Sequence, residues 1–253
     1  MRKTKSTKNL SPQEHQKKYA GVVFDFHFTI AHFFPSREKV YEQVLKKYGF
    51  TNSPEEIAKA FAMAWPKYTD KELIKAFSLQ IDTSSMEKWW SEFHSKVFNK
   101  LGITDENILK LISYDISEFI YKDYSIYRLY PDVLEILSFL REKGVRIGMI
   151  TNAHSTIREI IKKLGIVNYF DYITISCEVG LSKPNPEIFK YTFKKMGLKT
   201  KDILFIGDSY HTDVVGSEAV GCDVAIIKRE DKDGKKQNNC LYLNNLNQIK
   251  DLV

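Results

Sequence analysis

The sequence predicts an α/β fold: a parallel, doubly wound sheet interrupted after its first strand by a block of helices. Three observations predict it. Gly21-Val-Val-Phe-Asp-Phe26 is apolar almost throughout, as a parallel strand covered on both faces must be. From Ser36 to Tyr127 the apolar periodicity is helical. From Pro131 onward helix and strand patterns alternate, which is the signature of βα units joined by right-handed crossovers.

In the helical block, Asn52-Ser-Pro-Glu-Glu56 offers a capping serine, a proline at the first helical position and acids in the first turn. A second helix is expected over Ser85–Leu101, with Met86, Trp90, Phe93 and Val97 on one stripe, and a third over Thr104–Tyr121. The tryptophans Trp65, Trp89 and Trp90 read as bundle core. The alternating part gives helix Pro131–Lys143, strand Arg146–Thr151, helix Ser155–Leu164, strand Tyr172–Ser176 and helix Pro186–Met196. Strand Asp202–Ile206, helix Thr212–Val220, strand Asp223–Ile227, strand Leu241–Leu243 and a helix from about Asn245 complete it. The organisation expected is therefore a basic tail over residues 1–17, a core of residues 18–35 and 128–253, and an inserted helical cap over 36–127.

Composition excludes several classes. The 253 residues carry a net charge of +6, but residues 1–18 hold six basic residues against Glu14, so the body is nearly neutral and nucleic acid is not an expected partner. The tail reads as a disordered extension and lacks the apolar run of a secretory signal. No apolar run is long enough to span a bilayer. Cys177, Cys222 and Cys240 are odd in number and far apart, which suits the reducing cytoplasm and gives no zinc spacing.

In open α/β sheets ligands bind beyond the carboxyl ends of the strands. Asp25 ends the first predicted strand, Thr151-Asn152 the next, and Lys183 follows the third in Leu181-Ser-Lys-Pro-Asn-Pro186. Gly207-Asp-Ser-Tyr-His-Thr-Asp213 follows the fourth. Carboxylates able to share a metal, beside an ammonium and a hydroxyl able to hold anionic oxygens, suit phosphoryl transfer. GxGxxG, Walker and GxSxG motifs are absent from the sequence.

These four segments, in this order, resemble the four motifs of the haloacid dehalogenase (HAD) superfamily, from about Val22 to the end of the chain. Ser176-Cys-Glu-Val-Gly180, Lys183-Pro-Asn-Pro-Glu-Ile-Phe189, Ile206-Gly-Asp-Ser209 and Tyr130-Pro-Asp-Val133 look especially like its phosphatase branches. The resemblance implies a Rossmann-like core with a mobile cap and hydrolysis of a small phosphorylated metabolite through an aspartyl phosphate on Asp25. It implies Mg²⁺ held by Asp25, the His27 carbonyl and Asp208, with Asp213 at or just behind the metal. Thr151 and the Asn152 backbone N–H would bind phosphate oxygens, and Lys183 would offset the charge between nucleophile and substrate.

One residue departs from the pattern. The phosphatases' first motif is Asp-x-Asp-x-Thr, whereas this chain reads Asp25-Phe-His-Phe-Thr29. The second aspartate normally transfers the proton, so its replacement by His27 leaves three readings. His27 acts as the acid itself, only good leaving groups are cleaved, or the protein binds a phosphorylated ligand or protein partner without turnover. Dehalogenase and phosphonatase activities are minor alternatives: the retained Asp208/Asp213 pair disfavours the first, and the second needs a Schiff-base lysine that sequence cannot select among the several in the cap. His154 and His211, in the loops after Thr151 and Asp208, and Phe28 and Phe33-Phe34, at the cap entrance, are further candidates.

Overall fold

The structure is a computed structural model that describes residues 19–64, 83–122, 124–229 and 240–253. The expected tail, Trp65 and residues 231–239 lie outside the described residues, as do the side chains of Met86, Trp89 and Trp90.

Six parallel strands form the sheet: β1 (Gly21–Phe24), β4 (Arg146–Thr151), β5 (Tyr172–Ile175), β6 (Ile203–Gly207), β7 (Asp223–Ile227) and β8 (Leu241–Leu243), in the order β5-β4-β1-β6-β7-β8. β1 lies inside the sheet, and its two-residue side-chain alternation feeds two separate cores. Val22 and Phe24 join one apolar cluster and Val23 the other; Leu204 and Ile206 part from Ile203 and Phe205 in the same way. The first cluster is covered by α5 (Val133–Glu142), α6 (Ile157–Lys163) and a 3₁₀ helix over Leu246–Leu252. The second is covered by α8 (Pro186–Met196), whose Ile188, Phe189, Phe193 and Met196 are buried. Full burial on both faces is what makes β1 and β6 legible as continuous apolar runs.

Between β1 and β4 stand α1 (Arg37–Lys47), α2 (Pro54–Ala64), α3 (Thr83–Lys100) and α4 (Glu106–Lys122). They share their own apolar cluster, which includes Tyr41, Leu45, Ile57, Phe93, Val97, Ile112 and Ile116. Helix α2 begins with the expected capping pair: Glu56 N–H donates to Ser53 Oγ (3.2 Å) and Ser53 N–H to Glu56 Oε2 (2.8 Å). On the predicted stripe of α3, Phe93 and Val97 are buried.

Five details differ from the sequence expectation. Two three-residue strands, β2 (Ala31–Phe33) and β3 (Tyr127–Leu129), pair antiparallel where the chain leaves and re-enters the sheet region. Strands this short carry no readable periodicity. β1 stops at Phe24, although Asp25 N–H still donates to Ile206 C=O at 2.8 Å. The helix expected over Thr212–Val220 is a π-helical turn at Tyr210–Val214 followed by α9 (Val215–Ala219). The last helix is 3₁₀, with an Asn245–Gln248 capping box. A four-residue helix, α7 (Ser176–Val179), directly follows β5.

Candidate active site

The loops after β1 and β6 leave the sheet on opposite faces, and the crevice so opened is where an α/β sheet presents its ligand-binding edge. Asp25 follows β1, Thr151 ends β4, Lys183 lies in the loop before α8, and Asp208 and Asp213 follow β6. One oxygen from each of Asp25, Asp208 and Asp213 can be chosen so that all lie within 4.8 Å of one another. The Lys183 ammonium donates to Asp25 Oδ1 and Asp213 Oδ1, both at 2.6 Å. Lys183 is 2% exposed and Asp213 fully buried.

The surroundings explain how these groups are held. Asn152 Nδ2 donates to the Lys183 carbonyl and Lys183 N–H to Asn152 Oδ1, each at 2.8 Å, so a side-chain amide docks the lysine loop on the end of β4. Asp213 Oδ2 accepts from Ser209 N–H at 3.0 Å, and Asp213 N–H donates to the Ser209 carbonyl at 2.9 Å. These bonds draw residue 213 back over its own turn, as the wider π-helical pitch allows. A Cβ on Gly207 would land on the Asp213 carboxylate, so only glycine leaves that approach open. The Thr29 carbonyl accepts from Arg229 Nε (3.1 Å) and Nη2 (2.7 Å), while Arg229 Nη1 grips both Asp132 oxygens at 2.7 Å. That buried pair ties the loop after β1 to the C-terminal helix, where Leu246 N–H donates to Asp132 at 2.8 Å.

Electrostatically the site holds more negative charge than it can comfortably bear. Burial, then the Asp25 and Asp213 charges, push the Asp208 carboxyl well above its ordinary range. Asp213 is raised by burial, although the Lys183 ammonium opposes this. Burial alone would lower Lys183; contacts with Asp213 and Asp25 outweigh it and raise it. Three carboxylates around one ammonium form an all-oxygen donor set with surplus charge, a set that fits a small, hard divalent cation such as Mg²⁺.

Thr151 is fully buried, and its hydroxyl has no hydrogen-bond partner among the described residues. Its position at the end of β4 is the expected one, yet it does not line the large cavity described below. His27 sits with its ring against Phe26, Phe33 and Tyr127, at centroid distances of 5.1, 5.9 and 6.0 Å. Burial, with a smaller push from the Lys183 charge, lowers its pKa to about 4. The next residue, Phe28, adopts φ +57°, a left-handed backbone rarely taken by an aromatic residue.

A cavity of about 220 Å³ joins this edge to the helical block. Asp25, His27, Asn152, Lys183, Asp208 and Thr212 line its sheet end. His154, Phe28 and Phe33 also line it, and the backbone N–H of Thr156 donates to His154 Nδ1 at 3.3 Å. His211 is exposed and away from the cavity, and Phe34 is 62% exposed. The sequence reading missed the far end: Arg37 and Tyr41 on α1, His94 on α3, and Ile116, Ser117 and Ile120 on α4. No local signal marks them, because Tyr41 and His94 meet across 53 positions of chain.

Residues 19–221 match the family described as haloacid dehalogenase-like hydrolase. The chain is 35% identical over 133 residues to a glyceraldehyde 3-phosphate phosphatase of Methanocaldococcus jannaschii, covering 51% of this chain and 58% of that protein. It is 23% identical over 169 residues to a phosphoserine phosphatase of Thermus thermophilus, covering 65% and 68%. The alignment thus spans little more than half the length of the first relative. The fold is that of the structure of a protein from Bacillus subtilis, YfnB, described as a HAD-hydrolase bound to magnesium, with a TM-score of 0.71, 19% identity and coverage of 92% and 97%. A sequence match over most of its length, on a fold of this kind, places the chain in the haloacid dehalogenase-like hydrolase family.

Proposed function

We propose that this protein is a Mg²⁺-dependent phosphohydrolase that cleaves a small phosphomonoester through an aspartyl phosphate on Asp25. The observation carrying the proposal is the Lys183 ammonium held 2.6 Å from both Asp25 and Asp213, with Asp208 beside them at the sheet edge. In this reading Asp25, the His27 carbonyl and Asp208 hold the cation and Asp213 backs it. When bound, the metal would neutralise the crowded acids and polarise the phosphoryl oxygens.

The chain's own residues do the rest. Asp25 attacks phosphorus, the P–O bond to the alcohol breaks, and water later hydrolyses the acyl phosphate to restore Asp25. Lys183 keeps the carboxylate and the incoming phosphate from repelling one another. The partnerless Thr151 hydroxyl and the Asn152 N–H receive phosphate oxygens. The helical block at 36–127 serves as a cap that limits water at the site, since α1, α3 and α4 wall the cavity opposite Asp25.

Among the described residues no helix is long and apolar enough to cross a membrane. We place the protein in the cytoplasm on the sequence argument from its cysteines.

His27 limits the reaction. With a pKa of about 4 it is neutral near pH 7 and has no imidazolium proton to give a leaving alkoxide. Turnover therefore favours esters whose alcohols leave without protonation. The aromatic packing around His27 favours one second reading, a protein that binds a phosphorylated ligand without turning it over.

Hydrolysis of para-nitrophenyl phosphate, with and without Mg²⁺, separates these readings in wild type, Asp25→Asn and His27→Asp. Metal-dependent turnover lost in Asp25→Asn is the expected result. A silent wild type with an active His27→Asp variant would favour the binding protein. Silence in all three would end the phosphatase reading.

A further inference from the structure

The polarity of the cavity changes along its length. Beyond the charged sheet end, its walls are mostly apolar: Phe33 from β2, Ile157 from α6, and Ile116 and Ile120 from α4, with Ser117 and His154 as polar groups among them. At the far end, Tyr41 Oη and His94 Nε2 are 2.7 Å apart, and both residues are almost completely buried. Arg37 brings the charge of that end, but its Nε and Nη2 donate to Glu38 at 3.2 and 2.9 Å. Its guanidinium also lies 4.2 Å above the Phe61 ring. His94 adds no second charge near pH 7, because burial and then the Arg37 charge lower its pKa to about 4.

We propose that the alcohol part of the substrate is uncharged and largely apolar, either aromatic or branched aliphatic, and that Phe33, Ile116, Ile120 and Ile157 select it. The proposal rests on the phosphohydrolase reading above and adds the substrate class for the same site. A second anionic group would meet a guanidinium already paired with Glu38. A polyhydroxylated chain would set its hydroxyls against isoleucine and phenylalanine, where each hydroxyl lacking a partner costs roughly tenfold in affinity. An apolar chain gains there instead, about fourfold for each methylene removed from water. Small polar phosphates, such as those named for the phosphatase relatives, are then poor substrates of this chain.

The test compares kcat/KM for benzyl phosphate and isopentyl phosphate with that for glycerol phosphate and phosphoserine. All four release alkyl alcohols, so the demand for a proton is similar. The expected preference for the apolar pair is on the order of 10²-fold, about three to four methylenes' worth. Equal or reversed rates would overturn the proposal.

Ile120→Thr and Ile116→Thr should each shrink the preference about tenfold. Because the readout is a ratio within one protein, a poorly folded variant lowers both rates and leaves the ratio in place. If none of the four is turned over, para-nitrophenyl phosphate reports separately whether the phosphohydrolase reading has failed. Titration of Asp25→Asn with benzyl phosphate and with glycerol phosphate then decides the present point. Tighter binding of benzyl phosphate supports an apolar-selective cavity, and equal binding ends the proposal.

Discussion

Replacing Asp208 by asparagine should make the metal-free protein more stable while abolishing its response to Mg²⁺. The Asp208 carboxylate shares a cluster with Asp25 and Asp213 in which the oxygens lie within 4.8 Å of one another. At an effective dielectric of about 20, a like-charge pair at that distance costs about 3.5 kcal/mol. Two such pairs act on Asp208, and the Lys183 ammonium offsets roughly one of them. Asp208 is the most open of the three acids, so solvent screening reduces the remainder to about 1–2 kcal/mol. In a chain of this size each kcal/mol moves Tm by about 2–4 °C, so Asp208→Asn should melt about 2–8 °C above wild type in chelator near pH 7.

The pH dependence has a definite sign. The folded protein holds the Asp208 proton more tightly than the unfolded chain does, since its pKa is raised above the ordinary 3.8. That contribution to stability is complete below the unfolded value and is lost as pH rises through the folded one. The advantage of Asp208→Asn therefore shrinks as pH falls toward 4. With Mg²⁺ at about a hundredfold excess over its Kd, wild type gains about 2.7 kcal/mol and the variant does not. Calorimetric melting with chelator and with Mg²⁺ reads both effects. A wild type that melts at or above Asp208→Asn in chelator would refute the charge-crowding argument.

The other predictions concern the groups that hold the cluster together. Lys183→Met leaves Asp25 and Asp213 buried without their cation and should cost about 3–5 kcal/mol in denaturant unfolding. Because Asp213 is raised by burial, that loss should lessen in acid; an unchanged loss at pH 4 would contradict it. Gly207→Ala should push Asp213 out of place and lower kcat by tenfold or more while the chain still folds, as circular dichroism would report. Arg229→Met strips Asp132 and the Thr29 carbonyl of their partner and should also cost about 3–5 kcal/mol, read as a lowered Tm.

How far the fold could be read in advance follows from burial. Val22, Val23 and Phe24 are inaccessible on both faces, so their strand carries no polar residue to blur it. Helix α8 announces itself because Asn185 caps it, Pro186 opens it and Gly197 ends it at φ +67°. Legibility fails where tertiary contacts override local pattern. The Tyr210–Val214 turn contains ordinary helix-compatible residues, and only the pull of Ser209 and Lys183 on Asp213 makes it π-helical. The β2–β3 ribbon depends on residues nearly a hundred positions apart, as Ala31 opposite Leu129 illustrates.

The site divides along the same line. Asp25, Thr151, Lys183 and Asp208 were visible because each follows or ends a strand at one sheet edge, where topology alone brings them together. Arg37, Tyr41 and His94 were invisible because they sit on amphipathic helices, where a buried tyrosine or histidine reads as core packing. His27 belongs to both groups. Its position marked it as chemical, yet its ring lies among Phe26, Phe33 and Tyr127, so the side chain packs as one more ring of that aromatic cluster. Phe28 beside it takes a left-handed φ that costs about 1–2 kcal/mol in a residue other than glycine. His27 and Phe28, consecutive in the loop after Asp25, thus both present a ring to the cavity. On the phosphohydrolase reading proposed above, a neutral His27 ring would both weaken acid catalysis and leave the cavity less charged, so low turnover on poor leaving groups and preference for apolar alcohols are expected together.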